Sequence, residues 1–204
     1  MFRKFIASQF KKPAGLVGIF TSNLMIKGNT GIYNKLIKNL DVQPHDKLLE
    51  IGYGPGIGIN MIARACASCT VHGIDFSRLM YKRASRYNKQ YIDKGRVQLQ
   101  YGDFLETPIV SNDYDEDYDK IFCVNVVYFW DELKKPFEKI LSLLKKSGAF
   151  YIYMAHKDTL IEKKAPDGVF NKYSLEQIGE ALRLTGFSEV EHYFDKGYYI
   201  KAKK

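Results

Sequence analysis

The sequence predicts an α/β protein with a doubly wound, mostly parallel sheet of seven strands. The first observation is that short apolar segments alternate with helical segments from residue 47 onward, which is the order of βαβ units. The second is that these strands are largely apolar, as strands covered on both faces are. The third is a pair of final strands separated by a short turn, which predicts an antiparallel hairpin. Because crossovers between parallel strands are right-handed, we expect the doubly wound arrangement.

Seven segments have the length and composition of strands. The third alternates apolar and polar residues, as a strand with two different faces does. The last two form the predicted hairpin at the edge of the sheet. In chain order the segments are KLLEI (47–51), TVHGID (70–75), RVQLQYGD (96–103), KIFCVN (120–125), AFYIYMA (149–155), EVEHYF (189–194) and GYYIKA (197–202).

Helices are predicted between these strands. Lys145 and Lys146 are expected in the last turn of the third helix, with Gly148 as its stop. Ser174 and Gln177 have the spacing of a capping box, which marks the start of the fourth helix. The helical segments are IGINMIARACA (57–67), residues 77–93, KPFEKILSLLKKSG (135–148) and the segment after Ser174. A further helix is expected near the amino end, where Phe2, Phe5, Ile6 and Phe10 share one face.

The formal net charge of +8 favours an anionic substrate, a nucleic acid or an acidic membrane surface as partner. The Lys and Arg residues are scattered, so we interpret the charge as an aid to solubility. No signal peptide and no apolar segment long enough to span a bilayer is evident. We therefore expect a cytoplasmic protein without stable membrane insertion.

Three cysteines are too few for a disulfide scaffold, and we expect a reducing compartment. Cys66 and Cys69 form a CxxC pair, but no second pair and no His at ligand spacing follow. Zinc binding and redox chemistry are therefore disfavoured there. The acidic segment NDYDEDYD (112–119) lacks the glycine and the spacing of a calcium loop and is interpreted as a solvated turn. No metal site is predicted.

The segment LLEIGYGPGIGI (48–59) begins within the first strand and carries glycine at four alternate positions after it. In a doubly wound sheet the ligand binds where this first strand–helix turn lies. A dinucleotide fingerprint needs a small residue at the place that Ile57 or Ile59 occupies. Glu50 would also put a negative charge beside a pyrophosphate. An NAD-dependent enzyme is therefore kept only as a remote alternative.

The acid and glycines Glu50, Gly52, Gly54 and Gly56 resemble motif I of the class I S-adenosylmethionine-dependent methyltransferases. The resemblance implies the Rossmann-like methyltransferase fold, S-adenosylmethionine as cofactor and S-adenosylhomocysteine as product. This cofactor has no phosphate and carries a cationic amine and a sulfonium, so an acid near the loop is favourable. The glycines let the backbone lie against its methionine and ribose portions.

The end of the second strand agrees with this resemblance. Asp75 stands 23 residues after Gly52, where the family has its ribose-binding acid. A carboxylate at this place can accept hydrogen bonds from both vicinal hydroxyls. The neighbouring Phe76 and Met80 are expected to line the adenine.

The ends of the third and fourth strands agree as well. By the same resemblance, Asp103 accepts a hydrogen bond from the adenine amino group and Phe104 lies beside the ring. Asn125 and Val126 follow the fourth strand and are expected to border the methionine moiety and the transferred methyl group. The joint occurrence of these motifs in this order is what makes the resemblance specific.

The resemblance covers roughly residues 40 to 200. A stand-alone core with a short amino-terminal cap is similar to the ubiquinone/menaquinone-biosynthesis type of methyltransferase, and we expect a small-molecule acceptor. We expect one methyltransferase domain, in which residues 1–40 form a helical cap or lid and residues 41–204 form the cofactor-binding core. Tyr128 and His156 follow strand ends near the expected acceptor and are the candidate catalytic residues. His156 is the candidate base because its neutral form is available near pH 7.

Two other functions stay open. An RNA or protein methyltransferase is an alternative because of the positive charge. No Asp/Asn-Pro-Pro-Tyr/Phe motif follows the fourth strand, and Cys123 lies inside that strand, so amino-methylation by that motif and cysteine-dependent pyrimidine methylation are disfavoured. A non-catalytic protein that binds the cofactor or a membrane surface is the second alternative. The methylated atom and the oligomeric state are not predicted.

Overall fold

The computed structural model of the chain describes residues 15–109, 118–156, 158–159 and 169–204. The predicted helical face from Phe2 to Phe10 and most of the acidic segment 112–119 lie outside the described residues. The elements are α1 (Gly15–Leu40), β1 (Lys47–Ile51), α2 (Ile57–Ala65), β2 (Thr70–Asp75), α3 (Arg78–Tyr87), α4 (Lys89–Ile92), β3 (Val97–Tyr101), β4 (Tyr118–Val124), α5 (Lys134–Leu143), β5 (Leu144–Met154), α6 (Leu175–Thr185), β6 (Ser188–Phe194) and β7 (Tyr198–Lys203). A 3₁₀ turn, Val127–Phe129, follows β4.

The described strands form a seven-stranded sheet in the order β3-β2-β1-β4-β5-β7-β6. Strands β1 to β5 pair in parallel, whereas β7 is antiparallel to both β5 and β6. The strand order reverses between β1 and β4, because the chain first builds outward to β3 and then returns to the other side of β1. The predicted sheet and its antiparallel hairpin are confirmed. A ligand crevice is expected at this switch point, outside the carboxyl ends of the strands.

Helices cover both faces of the sheet and create a core on each side. Leu36 of α1, Ile59 of α2 and Ala84 of α3 are buried in the core of one face. Phe137 of α5 and Ile178 of α6 are buried in the core of the other. Each large side chain buried in this way contributes roughly 1.5–3 kcal/mol through loss of apolar surface from water.

The helix predicted over residues 77–93 is divided into α3 and α4 at Asn88. The Nδ2 atom of Asn88 donates to the carbonyl oxygens of Ala84 and Gly56, at 3.0 Å each. Such a side chain competes with the backbone for hydrogen bonds, so it ends the helix rather than continuing it. It also ties the end of α3 to the glycine turn.

Lys145 and Lys146 lie in β5, and their predicted place in the last turn of a helix is wrong. Helix α5 ends at Leu143, and Leu144 already pairs with Tyr118 at the start of β4. The Nζ atom of Lys145 lies 2.9 Å from both carboxylate oxygens of Asp119. Pairing with a distant strand therefore overrides the local helical preference.

Cys66 and Cys69 form a disulfide, with their Cα atoms 5.5 Å apart. The expectation that these cysteines are reduced is therefore wrong for this pair, while Cys123 is free and buried in β4. Helix α2 ends at Ala65, two residues before the predicted end, and Cys66 is extended. The turn that follows brings the two Cα atoms within the range that a disulfide requires.

The capping box of α6 is present as predicted. The Ser174 hydroxyl accepts from the Gln177 N–H at 3.3 Å, and Gln177 Oε1 accepts from the Ser174 N–H at 2.8 Å. Ser174→Ala is expected to lower the free energy of unfolding by about 1 kcal/mol, because a helix N–H loses its acceptor. Urea denaturation measures the change. Ser142→Ala inside α5 is the control and should be close to neutral, since alanine is the better helix former. Equal losses in both variants would contradict a capping role.

Candidate active site

The turn after β1 needs glycine at two positions that face the crevice. Gly52 and Gly54 both have left-handed backbone conformations, with φ of 70° and 53°. A Cβ atom on Gly52 would lie 2.6 Å from Cγ2 of Val126. Glycine is the residue that adopts these angles without strain and leaves the backbone open to a ligand. The first two glycines of the motif therefore shape the floor of a site.

The other two glycines of the motif serve helix packing. A Cβ atom on Gly56 would lie 2.6 Å from Nδ2 of Asn88 and 2.8 Å from Cβ of Ala84. A Cβ atom on Gly58 would lie 2.5 Å from the ring of Tyr33. Gly56 was predicted to bind cofactor, but the structure places it against α3 and not in the lining of the crevice.

The crevice is a cavity of about 920 Å³ at the carboxyl ends of the parallel strands. This volume lies at the upper end of the range for ligand pockets. Its lining includes most of the residues predicted to hold the cofactor, together with the candidate catalytic Tyr128. The predicted residues in the lining are Gly52, Gly54, Asp75, Phe76, Met80, Asp103, Phe104, Asn125, Val126 and Tyr128.

Asp75 lies at the end of β2 and joins two segments of the site. Its Oδ2 accepts from the Gly54 N–H and its Oδ1 from the Ser77 N–H, both at 2.8 Å. Burial raises the pKa of Asp75 to about 6, partly offset by these two N–H groups. The carboxylate is therefore mostly ionised at neutral pH. Each oxygen of a carboxylate has a further lone pair, so Asp75 can also accept from two hydroxyl groups of a ligand.

The loop after β3 presents Asp103 and Phe104 to the cavity. Asp103 is exposed, and its Oδ1 accepts from the Leu105 N–H at 2.8 Å. Lys139 of α5 donates to the carbonyl oxygen of Thr107 at 2.9 Å, and its Nζ lies 5.0 Å from the centre of the Phe104 ring. Burial lowers the pKa of Lys139. Lys139 thus holds the loop in place, a role for which the sequence carried no signal.

Asn125 follows β4 with a left-handed φ of 58° and connects three parts of the site. Its Oδ1 accepts from the Tyr128 hydroxyl at 3.1 Å, and its Nδ2 lies 3.3 Å from Oδ1 of Asn29 on α1. The Tyr128 hydroxyl in turn accepts from the Ala155 N–H. Burial raises the pKa of Tyr128, so its hydroxyl stays protonated. This geometry makes Tyr128 a support for Asn125.

His156 is not among the residues that line the cavity. Its Nδ1 accepts from the Asp158 N–H at 3.2 Å. Its ring lies 5.4 Å from the ring of Tyr198 and 6.1 Å from that of Phe194, between centroids. The strand end that carries His156 therefore directs the ring toward the hairpin, whereas the preceding Ala155 faces the cavity.

Glu50 is fully buried and also lies outside the cavity lining. Side chains alternate between the faces of a strand, so Glu50 shares the face of Leu48, which α1 and α2 cover. Its Oε1 accepts from the Tyr33 hydroxyl at 2.5 Å. Burial raises the pKa of Glu50 to about 8, partly offset by this hydrogen bond.

The part of the cavity beyond Asn125 is lined by aromatic rings. Phe129 and Phe170 lie 5.2 Å apart between ring centroids, and Tyr128 lies 6.2 Å from Phe170. Gly28 and Asn29 of α1 line the cavity as well. The sequence analysis missed Phe129, Phe170 and Asn29. Phe129 follows a strand end and could have been found, but Phe170 belongs to an irregular segment without a periodic pattern.

No group of three His, Cys, Asp or Glu side chains in the described ranges is placed to hold a metal ion. None of the described helices is long and apolar enough to cross a membrane.

Comparison with known proteins agrees with the fold. Residues 48–148 match the family described as "Methyltransferase domain". An uncharacterized methyltransferase of Bacillus subtilis, YdaC, is 27% identical over 171 residues, which are 84% of this chain and 87% of that protein. A Methanococcus maripaludis structure described as an S-adenosyl-L-methionine-dependent methyltransferase has a TM-score of 0.65 and 24% identity, covering 85% of this chain and 83% of that one.

A structure solved with the cofactor has the same fold. Phosphoethanolamine N-methyltransferase 2 of Haemonchus contortus, in complex with S-adenosyl-L-methionine, has a TM-score of 0.67 and 23% identity. The match covers 80% of this chain and 38% of that one. The order of the sheet, the glycine turn and the strand-end acids define a class I methyltransferase crevice. Residues 48–148 thus form a methyltransferase domain of the class I S-adenosylmethionine-dependent type.

Proposed function

We propose that the chain transfers the methyl group of S-adenosylmethionine to a small-molecule acceptor that binds in the aromatic part of the cavity. The observation that carries this proposal is that one cavity extends from the glycine turn and Asp75 to Phe129 and Phe170. A single space can therefore hold a cofactor and a small acceptor side by side. The predicted relation to the ubiquinone/menaquinone branch stays a prediction.

The residues at the strand ends suit this cofactor. Gly52 has no room for a side chain, which leaves bare backbone beside the ligand. The Asp75 carboxylate would accept from the ribose hydroxyls, and Phe76 and Met80 would flank the adenine. Both lie in the lining next to Asp75. Ile57 and Ile59 stand where a dinucleotide fingerprint has a small residue, which argues against a dinucleotide.

The remaining predicted residues would hold the other ends of the cofactor. The exposed Asp103 would accept from the adenine amino group, beside the Phe104 ring that Lys139 holds. Asn125 and Val126 would border the methionine moiety, and the hydrogen bond from Tyr128 would keep Asn125 in its orientation.

Positioning is the main catalytic task that this site can perform. When bound, S-adenosylmethionine supplies a methyl group on a sulfonium, and an acceptor atom attacks the methyl carbon in line as the sulfur leaves with S-adenosylhomocysteine. Orientation of two reactants can supply roughly 7–11 kcal/mol of the barrier. The rings of Tyr128, Phe129 and Phe170 exclude water and favour a flat or apolar acceptor. The placement of His156 beside the hairpin gives no support to its predicted role as base.

Calorimetry with S-adenosylhomocysteine tests the cofactor assignment. We expect saturable one-to-one binding to the purified protein and no heat from NADH under the same conditions. NADH is the matched control because the competing use of a glycine turn is dinucleotide binding. Binding of NADH without binding of S-adenosylhomocysteine would contradict the proposal.

Transfer of a labelled methyl group tests the acceptor class. Cell extract is separated into low-mass, RNA and protein fractions and incubated with the enzyme and labelled S-adenosylmethionine. We expect label in the low-mass fraction. Label confined to RNA or protein would replace the small-molecule proposal by the alternative that the positive charge suggests.

A further inference from the structure

Helix α1 is joined to the first strand by a buried hydrogen bond that the function described above does not use. Tyr33 of α1 donates from its hydroxyl to Oε1 of Glu50, at 2.5 Å. Tyr33 is 4% exposed and Glu50 is 0% exposed. Glu50 lies two residues before Gly52, so this contact connects the amino-terminal helix to the strand that leads into the cofactor turn.

The other oxygen of Glu50 is unsatisfied. Oε2 is buried and accepts no well-formed hydrogen bond in the described part of the chain, although the Ile59 N–H in the first turn of α2 lies close enough to lower the pKa of Glu50. A Cβ atom on Gly58 would lie 2.8 Å from it, which places the first turn of α2 directly against the carboxyl group. A buried carboxylate normally needs several hydrogen bonds or a cation, so Glu50 is only partly stabilised by this environment.

No cationic side chain among the described residues interacts with Glu50. The groups that do interact with it are the Tyr33 hydroxyl from α1, the Ile59 N–H from α2, the Asp75 carboxyl from β2, the Cys123 thiol from β4 and the Tyr53 hydroxyl from the glycine turn. These groups are neutral or negative. A cationic ligand in the adjacent crevice would therefore favour the ionised form of a carboxyl whose charge the protein compensates only in part.

Helix α1 makes a second polar contact at the cavity, one turn before the first. Asn29 lines the cavity and its Oδ1 lies 3.3 Å from Nδ2 of Asn125. Residues four apart share one face of a helix, so Asn29 and Tyr33 face the site together. The same face continues into the core through Leu36 and Leu40, which are almost fully buried. The position of α1 and the geometry of the cavity therefore depend on each other.

We propose that Tyr33 is a positioning residue that acts through Glu50 and couples the seating of helix α1 to the binding of the cationic cofactor. This inference rests on the proposed function, because it takes S-adenosylmethionine as the ligand. By donating to Glu50, Tyr33 stabilises the charged carboxylate beside the crevice. Because Tyr33 belongs to α1, a change in the ionisation of Glu50 acts on the helix that borders the cavity.

The test compares two tyrosine-to-phenylalanine variants by calorimetry with S-adenosylhomocysteine and S-adenosylmethionine. Tyr33→Phe removes the hydroxyl and keeps the ring that packs on Gly58. Tyr118→Phe is the matched control, because its buried hydroxyl lies 2.8 Å from Nδ1 of His72. Tyr118 is the first residue of β4 and therefore lies at the end of that strand away from the crevice. Circular dichroism verifies that both variants are folded.

We expect Tyr33→Phe to weaken cofactor binding roughly tenfold at neutral pH, since a hydrogen bond to a charged group is lost. Without the hydroxyl, the pKa of Glu50 rises further above its value of about 8, so less of it is ionised. The ratio of the variant and wild-type Kd values should fall toward one well above about pH 9, where the carboxyl is ionised even with its higher pKa in the variant. The amine of the cofactor titrates in the same way in both experiments, so its effect on Kd cancels in this ratio. Tyr118→Phe should leave Kd unchanged.

A second measurement needs no variant. Hydrogen exchange of the α1 amides from residue 26 to residue 40 should slow when the cofactor is added to wild-type protein, and this protection should be smaller in Tyr33→Phe. If wild-type protein binds neither ligand, the proposed function fails and this inference fails with it. If wild-type protein binds but Tyr33→Phe binds equally well, or weakens binding by the same factor at every pH, only the coupling through Tyr33 is overturned. Unchanged exchange in α1 on cofactor binding would overturn it as well.

Discussion

Replacement of Asp75 by alanine is expected to weaken binding of S-adenosylhomocysteine by at least about a hundredfold. Two effects act in the same direction. The variant loses the acceptor for the ribose hydroxyls in our proposed complex. It also loses the hydrogen bonds that the carboxylate accepts from Gly54 and Ser77, which hold the glycine turn against β2. Calorimetry gives the affinity directly.

Two controls separate loss of the ligand contact from loss of stability. Asp75→Asn keeps one side-chain oxygen and should retain more affinity than Asp75→Ala. Asp119→Ala removes a carboxylate that accepts from the Lys47 N–H at 2.8 Å, at the opposite edge of the sheet. It should lower stability without a change in affinity. If the affinity of Asp75→Ala stays within a factor of two of wild type, Asp75 does not bind the ribose.

Glu50→Gln is expected to stabilise the ligand-free protein at alkaline pH. The pKa of Glu50 is raised from 4.5 to about 8 in the folded state, so the folded protein holds this proton more tightly than the unfolded chain. The stability that this group contributes is fully present below about pH 4.5 and is lost as the pH rises to about 8. Removal of the charge avoids that loss, which amounts to up to about 5 kcal/mol above pH 8.

Urea denaturation at several pH values measures this effect. Wild-type protein should lose more stability than Glu50→Gln between about pH 5 and about pH 8.5. A smaller dependence below about pH 6 should remain in the variant, because burial also raises the pKa of Asp75 to about 6. Glu180→Gln, on the exposed side of α6, is the control and should follow the wild type. Parallel curves for Glu50→Gln and wild type would show that Glu50 is not the responsible group.

The same variant should bind the cationic cofactor more weakly, because it removes the charge that we expect the ligand to compensate. Stability and affinity would then change in opposite directions at one residue. This is the pattern of a site that is strained until its ligand arrives. It distinguishes a functional carboxyl from a structural one such as Asp119, whose loss is expected to lower stability alone.

Sequence patterns predicted the architecture because the signals involved are local. Apolar strands and turns recur at short range, and the capping box of α6 depends only on the segment from Ser174 to Gln177. The errors occurred where a distant partner decided the outcome. Lys145 pairs with Asp119 and joins a strand, and Asn88 reaches Gly56 and ends a helix.

Most of the predicted cofactor residues line one cavity because the carboxyl ends of parallel strands meet at one edge of the sheet. A motif at each strand end is therefore enough to bring them together. The exceptions are Glu50 and Gly56, whose places depend on how helices α1 and α3 pack. The rings of Phe129 and Phe170 and the side chain of Asn29 come from separate parts of the chain, so no spacing could have joined them.

By itself the sequence determined the alternation of strands and helices in a doubly wound sheet, the glycine turn after β1 and the acids at the following strand ends. Only the tertiary structure decided which face of β1 Glu50 occupies, that Tyr33 is its hydrogen-bond donor, and that His156 packs against the hairpin instead of the cavity. The physical reason is the distance along the sequence over which each interaction acts. Periodicity and turn chemistry act over a few residues, whereas these contacts depend on how helices and loops pack across the sheet.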